Sequence, residues 1–170
     1  EAKAMVKAAY EYVGPVYMRF GRLAVPVIND RPDYKFEIGK GIELENGEDV
    51  TLIATGLMVP EALEARRLLL EQEIAARVVN MATIKPIDKD IIVKAAKETG
   101  AIVTAEEHNI NGGLGSAVAE VLGENAPVPM KRVGTKDVFG RSGKPAELLP
   151  MYGLDAKTIA EAAKEVIKRK

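Results

Sequence analysis

The chain of 170 residues carries 24 lysines and arginines against 25 aspartates and glutamates, a net charge of −1, which gives no reason to expect nucleic acid or an anionic membrane as a partner. It has no cysteine and one histidine, which excludes disulfides and thiolate chemistry and argues against a zinc site. No apolar run reaches transmembrane length and no signal segment opens the chain, so we expect a cytoplasmic globular protein with one core, or one domain plus part of another.

The first segment predicts a helix followed by a single strand. Apolar residues recur at helical spacing over residues 2–12, Gly14-Pro15 ends the pattern, and Val16–Phe20 predicts a short strand. The predicted inner face of the helix comprises Ala4, Met5, Ala8, Ala9 and Tyr12. One helix and one strand cannot close a core, so we expect residues 1–26 to dock on the larger domain or on a partner. Because the chain opens at Glu1 inside a helical pattern, we also expect a fragment of a longer protein.

The next segment predicts a linker and then a sheet. Residues 27–35 read as the linker, and the weak alternation of Phe36–Glu45 indicates an edge strand. Asn46-Gly47 is a tight-turn signal that precedes the apolar strand Val50–Thr55. We therefore expect a hairpin over residues 36–55.

From residue 50 onward strands alternate with helices, which predicts parallel βαβ units with right-handed crossovers and an α/β fold. Further strands are predicted at Arg77–Ala82, Ile102–Ala105 and Val128–Val133. Helices are predicted at Pro60–Glu73, Asp88–Thr99, from the glycines at 112–115 to Leu122, at Pro145–Leu149 and from Asp155 onward. Asp88 and Asp155 are the predicted N-caps of their helices.

The segment from Ala101 to Glu120 holds most of the candidate functional residues. Its apolar strand ends in two acids and the single histidine, and glycines then open a helix. In open α/β sheets, residues at the carboxyl end of a strand face the crevice where ligands or partners bind. The candidate ligand or interface residues are Glu106, Glu107, His108, Gly112 and Gly113. A simpler interpretation, a hydrogen-bonded turn or subunit contact, is favoured for the two acids and weighs equally with a ligand role for His108.

The glycines of this segment do not complete a dinucleotide fingerprint. Val118 stands where the third small residue is required, and no acidic residue ends a strand at the right distance. They are better explained as letting the loop pass close to the sheet. The helix N–H groups that they expose could still hold a carboxylate or another backbone.

Two arginines flank the end of the first predicted strand. Arg22 follows Gly21, and a guanidinium there can fork onto a phosphate or carboxylate, the alternative being a surface ion pair. Arg19 lies within the strand pattern and could be an edge residue. We identify no catalytic residue and no metal ligands in the chain.

Four motifs, in this order, resemble the C-terminal part of transketolases, most closely the archaeal and bacterial type whose enzyme is split into two chains. They are GPVYMRFGR (14–22), IKPID (84–88), EEHNINGGLGSAVAE (106–120) and FGRSG with ELLPMYGL (139–154). Each motif alone is a weak indicator of this family, but the four motifs in this order are specific for it. FGRSG favours transketolase over deoxyxylulose-phosphate synthases, which usually carry F-x-x-H-G there. Those synthases, the β subunits of oxo-acid dehydrogenases, and a non-catalytic dimerisation or regulatory module are the alternatives.

The resemblance implies a domain organisation. Residues 1–26 would end a pyrimidine-binding domain, residues 27–35 would be the linker, and residues 36–170 would form the transketolase C-terminal domain. That domain is expected to be a three-layer α/β/α structure with a mixed, mostly parallel five-stranded sheet and one antiparallel edge strand.

The resemblance also implies an activity. The complete enzyme would move a two-carbon ketol unit between sugar phosphates in the pentose phosphate pathway, using thiamine diphosphate and Mg²⁺. This chain lacks the GDG-type segment that binds the diphosphate, and it lacks the strand and helix that carry the pyrimidine-activating glutamate. We therefore expect the chain alone to be inactive and to bind neither thiamine diphosphate nor Mg²⁺. Its expected partners are an N-terminal transketolase subunit or domain and a further copy of itself. The family's phosphate-binding arginine falls on Arg22, whereas His108 matches no catalytic histidine.

Overall fold

A computed structural model describes residues 1–22, 24–30 and 34–170, so Leu23 and residues 31–33 of the predicted linker lie outside the described part. Its centre is a five-stranded sheet of order β1-β3-β2-β4-β5, in which β1 is antiparallel to β3 and the other neighbours are parallel. The strands are β1 (Ile42–Glu45), β2 (Val50–Ala54), β3 (Ala76–Asn80), β4 (Ile102–Asn109) and β5 (Met130–Thr135). The predicted mixed α/β sheet with one antiparallel edge strand is confirmed.

The described residues form the helices α1 (Ala2–Glu11), α2 (Met58–Leu70), α3 (Lys89–Thr99), α4 (Leu114–Asn125), α5 (Pro145–Met151) and α6 (Ala156–Ile167). Helices α2 and α6 pack with one core, and α3 and α4 with the other, giving three layers. Among the described residues, no helix combines the length and apolar character needed to cross a membrane.

The central strands are apolar at nearly every position because both of their faces are buried. On β2, Leu52 points into the α2/α6 core and Ile53 into the α3/α4 core, and both side chains are fully buried. Val78 and Val79 on β3 divide in the same way. Each such side chain contributes about 1.5–3 kcal/mol by leaving water, which explains why these strands read as continuous apolar runs.

The hairpin expected over residues 36–55 is wrong. Strand β3 lies between β1 and β2, so the Asn46-Gly47 turn leads from the edge of the sheet across β3 instead of joining two neighbours. Gly47 passes so close to the start of β3 that a Cβ on it would lie 2.3 Å from the Ala76 carbonyl carbon. A turn signal reports local chain reversal but not which strand occupies the neighbouring position in the sheet.

The strand predicted at Val16–Phe20 does not form within the described residues, where this segment has no paired strand. A strand is stable only when a neighbour satisfies its N–H and C=O groups, and β1 and β5 do not bind it. The preceding helix α1 forms as predicted, but none of its residues is buried. Its predicted inner face is only half-buried at Ala4, Met5, Ala8 and Ala9, while Tyr12 is exposed.

The N-terminal helix is anchored to the sheet through the carboxylate of Glu1. Its Oε2 accepts hydrogen bonds from Asn29 Nδ2 (3.1 Å), from Tyr34 Oη (3.5 Å) and from Asn80 Nδ2 at the end of β3. Burial, followed by the nearby Glu1 charge and its hydrogen bond, raises the pKa of Tyr34 to about 12. The phenol therefore stays protonated and keeps donating to Glu1 throughout the physiological pH range.

Both predicted N-caps are present. Asp155 Oδ1 accepts the Thr158 N–H (2.8 Å) at the start of α6. Asp88 Oδ1 accepts the Ile91 N–H (3.3 Å) at the start of α3, and its Oδ2 accepts the Gly41 N–H (3.0 Å) from the loop before β1. Asp88 thus joins the helix cap to the edge of the sheet.

Replacing Asp88 with alanine is expected to lower the free energy of unfolding by about 2–3 kcal/mol, because the N–H groups of Ile91 and Gly41 both lose their acceptor. Asp90→Ala is the matched control, since Asp90 lies exposed in the same first helical turn. It should cost less than about 1 kcal/mol. Urea unfolding followed by circular dichroism measures both, and equal losses would contradict the double role of Asp88.

Candidate functional site

The candidate site lies at the carboxyl edge of the sheet, where β4 ends and α4 begins. Strand β4 continues to Asn109, beyond the predicted end at Ala105, so the two acids and the histidine belong to the strand itself. Asn109 pairs with Thr135 of β5 after an irregularity in the register that begins at Ala105. The apolar pattern predicts too short a strand because the last residues of β4 are polar.

Glu106 is the buried centre of this edge, with 2% of its surface exposed. Its Oε2 accepts the Leu114 N–H (2.7 Å) and its Oε1 accepts the Gly115 N–H (2.8 Å), so one carboxylate binds two N–H groups at the start of α4. The helix dipole favours a negative charge at this position, and hydrogen bonds to an ionised acceptor are strong. The place where the helix could bind an anion is therefore filled by the chain's own carboxylate, which is unavailable to a partner.

The glycines of the motif allow this close packing. A Cβ on Gly113 would lie 1.9 Å from Glu106 Oε2, and a Cβ on Gly134 of β5 would lie 2.9 Å from the His108 carbonyl oxygen. Gly112 has a φ of +79°, with nothing within 4 Å of a Cβ placed on it. Gly113 is thus required by the contact with Glu106, and Gly112 by the backbone turn.

The loop from β4 to α4 is held by further side-chain hydrogen bonds, which the apolar pattern of the sequence does not predict. Asn109 Nδ2 donates to Asp137 Oδ1 (2.7 Å), and Asn109 Oδ1 accepts the Asn111 N–H (2.8 Å). Ser116 Oγ accepts the Gly112 N–H (2.9 Å). An asparagine at a strand end followed by a glycine loop is the signal that could have indicated such a turn.

Glu107 and His108 face outward. His108 is exposed, and its Nδ1 donates to the Asn109 carbonyl oxygen (3.2 Å) in the tautomer that protonates this nitrogen. Glu107 meets Arg19 of the N-terminal segment: Arg19 Nη1 donates to the Glu107 carbonyl oxygen (3.3 Å), and Arg19 Nη2 lies 3.7 Å from Glu107 Oε2. The structure therefore brings the first and third motifs together through residues 88 positions apart.

Arg22 is exposed, at the end of the same N-terminal segment. The strand predicted just before it, Val16–Phe20, is not formed within the described residues. Arg22 and the residues of the third motif therefore lie on separate segments, which the contact of Arg19 with Glu107 connects.

The described residues do not fit a metal-bound diphosphate. They contain no group of three or more histidine, aspartate or glutamate side chains that could hold a metal ion. At the glycine-opened start of α4, the N–H groups of Leu114 and Gly115 are already bound by the Glu106 carboxylate.

Two groups of apolar side chains are exposed near this edge and along the N-terminal segment. The loop after β5 carries Val138 and Phe139, the latter 98% exposed, and Tyr152 Oη donates to the Phe139 carbonyl oxygen (3.1 Å). The N-terminal segment exposes Val6, Tyr10, Tyr12, Val13, Val16, Tyr17, Phe20, Val25 and Val27. So many exposed apolar side chains on one short segment are typical of a surface that another protein segment covers.

Known proteins resemble this chain over nearly its whole length. The model of the family described as "Transketolase, C-terminal domain" matches residues 39–159. A putative transketolase C-terminal section from Methanocaldococcus jannaschii is 49% identical over 169 residues, which is 98% of this chain and 52% of that protein. A 6-deoxy-6-sulfo-D-fructose transketolase subunit from Clostridium sp. is 47% identical over 171 residues, 98% of this chain and 53% of that protein.

A solved structure shows the same fold. A split-gene transketolase described as an inactive β4 tetramer matches with a TM-score of 0.94 at 51% identity, covering 98% of this chain and 54% of that one. The chain thus spans about half the length of the relatives it matches.

Replacing Gly113 with alanine is expected to lower the free energy of unfolding by about 2–4 kcal/mol, because the methyl group would displace Glu106 from the helix N–H groups. Gly123→Ala is the matched control. Gly123 is exposed in the same helix, and nothing lies within 4 Å of its added Cβ. This control should raise the free energy of unfolding by about 0.5–1 kcal/mol. Urea unfolding compares the two, and a neutral Gly113→Ala variant would contradict the assigned contact.

Proposed function

Since the chain belongs to the transketolase C-terminal domain family, we propose that it is the C-terminal section of a transketolase. The complete enzyme would transfer a two-carbon ketol unit between sugar phosphates, as in the pentose phosphate pathway. The observation that carries the proposal is that the similarity to a transketolase C-terminal section covers 98% of this chain. It therefore includes the segment before residue 39, which holds Arg22 and lies outside the family match.

The proposed domain organisation places residues 1–26 at the end of a pyrimidine-binding domain and residues 36–170 in the C-terminal domain. The start of the family match at residue 39 supports this division. So does the isolation of Val16–Phe20, since a strand sequence that finds no partner here is expected to pair in the sheet of another domain.

The proposed partners are an N-terminal transketolase section and a second copy of the chain. Exposed apolar side chains along residues 6–27 and at Phe139 support a large contact surface. The N-terminal section would hold thiamine diphosphate and Mg²⁺, which the residues described here do not fit. In that enzyme the cofactor would supply carbanion stabilisation, and this chain would supply binding and orientation.

The proposed role of Arg22 is to bind the phosphate group of the sugar. Its position matches the family's phosphate-binding arginine, and its side chain is exposed. A planar guanidinium binds two phosphate oxygens at once, which contributes about 1.5–3 kcal/mol for charge-assisted bonds. A phosphate far from the reacting carbon adds this binding energy without taking part in the chemistry.

A deoxyxylulose-phosphate synthase is the second candidate. Both transketolases and these synthases have an arginine at the position of Arg22 and a glycine-opened helix at the position of α4. The FGRSG sequence of the loop from Phe139 to Gly143 favours transketolase. The Clostridium relative, a transketolase subunit for a sulfonated sugar, supports ketol transfer while leaving the sugar open.

The complete enzyme is expected to transfer ketol units from a ketose phosphate to an aldose phosphate when thiamine diphosphate and Mg²⁺ are present. The 170-residue chain alone is expected neither to transfer ketol units nor to bind thiamine diphosphate tightly. A coupled assay measures transfer, and calorimetry measures cofactor binding. Ketol transfer by the chain alone would contradict the proposal. Formation of 1-deoxy-D-xylulose 5-phosphate by the complete enzyme would favour the second candidate.

Replacing Arg22 with alanine in the complete enzyme is expected to lower kcat/KM for phosphorylated acceptors by about tenfold to a hundredfold, since one charge-assisted contact is lost. Unphosphorylated acceptors should change much less. Arg169→Ala, at an exposed arginine after α6, is the matched control and should leave both rates unchanged. Equal losses for both acceptor classes would leave Arg22 as a structural residue.

A further inference from the structure

We propose that Arg19 is a positioning residue for Arg22, and that it acts by binding Glu107 at the end of β4. We call this contact the Arg19–Glu107 bracket. The inference rests on the proposed function, in which Arg22 binds the sugar phosphate, and it adds the residue that holds Arg22 in place.

The bracket is a two-point contact. One guanidinium nitrogen of Arg19 donates to the Glu107 carbonyl oxygen (3.3 Å), and the other lies 3.7 Å from Glu107 Oε2. A planar guanidinium held at two points has a defined orientation, whereas a lysine ammonium at the same place would act as a single point charge. The bracket therefore locates and orients the guanidinium group of Arg19 beside the end of β4.

The residue that receives Arg19 is itself rigidly held. Glu106 is buried and bound to the start of α4, and Asn109 pairs with Thr135 and donates to Asp137. Glu107 lies between these two anchored residues, so its carbonyl oxygen is fixed relative to the sheet. Arg19 is thus attached to a rigid part of the C-terminal domain.

Arg22 lies only three residues after Arg19, so the position of Arg19 restricts the position of Arg22. Three residues of extended chain span at most about 10 Å, so a contact at Arg19 limits how far Arg22 can lie from the carboxyl edge. Phe20 and Gly21 between them are exposed, and within the described residues this segment pairs with no strand. The bracket is therefore a contact through which the C-terminal domain limits where Arg22 lies.

The bracket contributes little to stability. The side chains of Arg19 and Glu107 are 55% and 44% exposed, and ion pairs in water at such positions add little to the free energy of folding. A positional role predicts a change in substrate discrimination with an unchanged melting temperature, which separates it from a merely structural role.

The test compares acceptors with and without a phosphate in the complete enzyme. Arg19→Ala is expected to lower kcat/KM for the phosphorylated acceptor by about two- to fivefold, the range that an exposed ion pair supports, and to spare the unphosphorylated one. If Arg22→Ala lowers kcat/KM through KM, Arg19→Ala should do so as well, and the same holds for kcat. Arg19→Lys should recover part of it, and Glu107→Gln, which keeps the carbonyl acceptor, should lose less.

The double variant decides whether Arg19 acts through Arg22. With Arg22 already replaced by alanine, Arg19→Ala is expected to cause no further loss. A full additional loss, a lower melting temperature, or failure of the Arg19→Ala enzyme to assemble would overturn the bracket while the selective effect of Arg22→Ala stands. A non-selective effect of Arg22→Ala would instead overturn the phosphate role, and the bracket with it.

Discussion

The carboxylate of Glu106, buried between β4 and α4, is the interaction on which the functional edge of this protein depends. It binds two N–H groups of the helix from inside the sheet, and it requires Gly113 to have no side chain. Because both of its oxygens are satisfied, a buried charge that would otherwise be costly becomes a strong link between strand and helix. The motif that most resembles a ligand-binding loop is therefore a structural link that holds Glu107 and the following loop in place.

The N-terminal segment differs from the buried Glu106 link, because most of its apolar surface is exposed and little of it is buried. Its helix has no buried residue, and it is attached at two polar points, by Glu1 to the end of β3 and by Arg19 to the end of β4. Two polar contacts orient a segment without supplying the hydrophobic burial that stabilises a domain. This arrangement suits a connection between two domains, with the sheet on one side and the proposed pyrimidine-binding domain on the other.

The division of labour in the proposed enzyme follows from what each part can bind. The described residues offer no metal-ligand cluster, and Glu106 binds the N–H groups of Leu114 and Gly115 at the glycine loop, whereas the exposed arginine at Arg22 suits a phosphate. The cofactor chemistry therefore belongs, in our proposal, to the N-terminal section, and recognition of the sugar phosphate extends to this chain.

The sequence by itself determined what is local: the alternation of strands and helices from residue 50 onward, the buried central strands, and the caps at Asp88 and Asp155. These follow from periodicity and from side chains that bond within a few residues of their own backbone. The tertiary structure alone decided that β3 separates β1 from β2, that Glu106 binds the helix after it, and that Arg19 meets Glu107. The physical reason is that register and partner choice depend on packing between segments far apart in the chain, to which hydrophobic periodicity and turn signals do not respond.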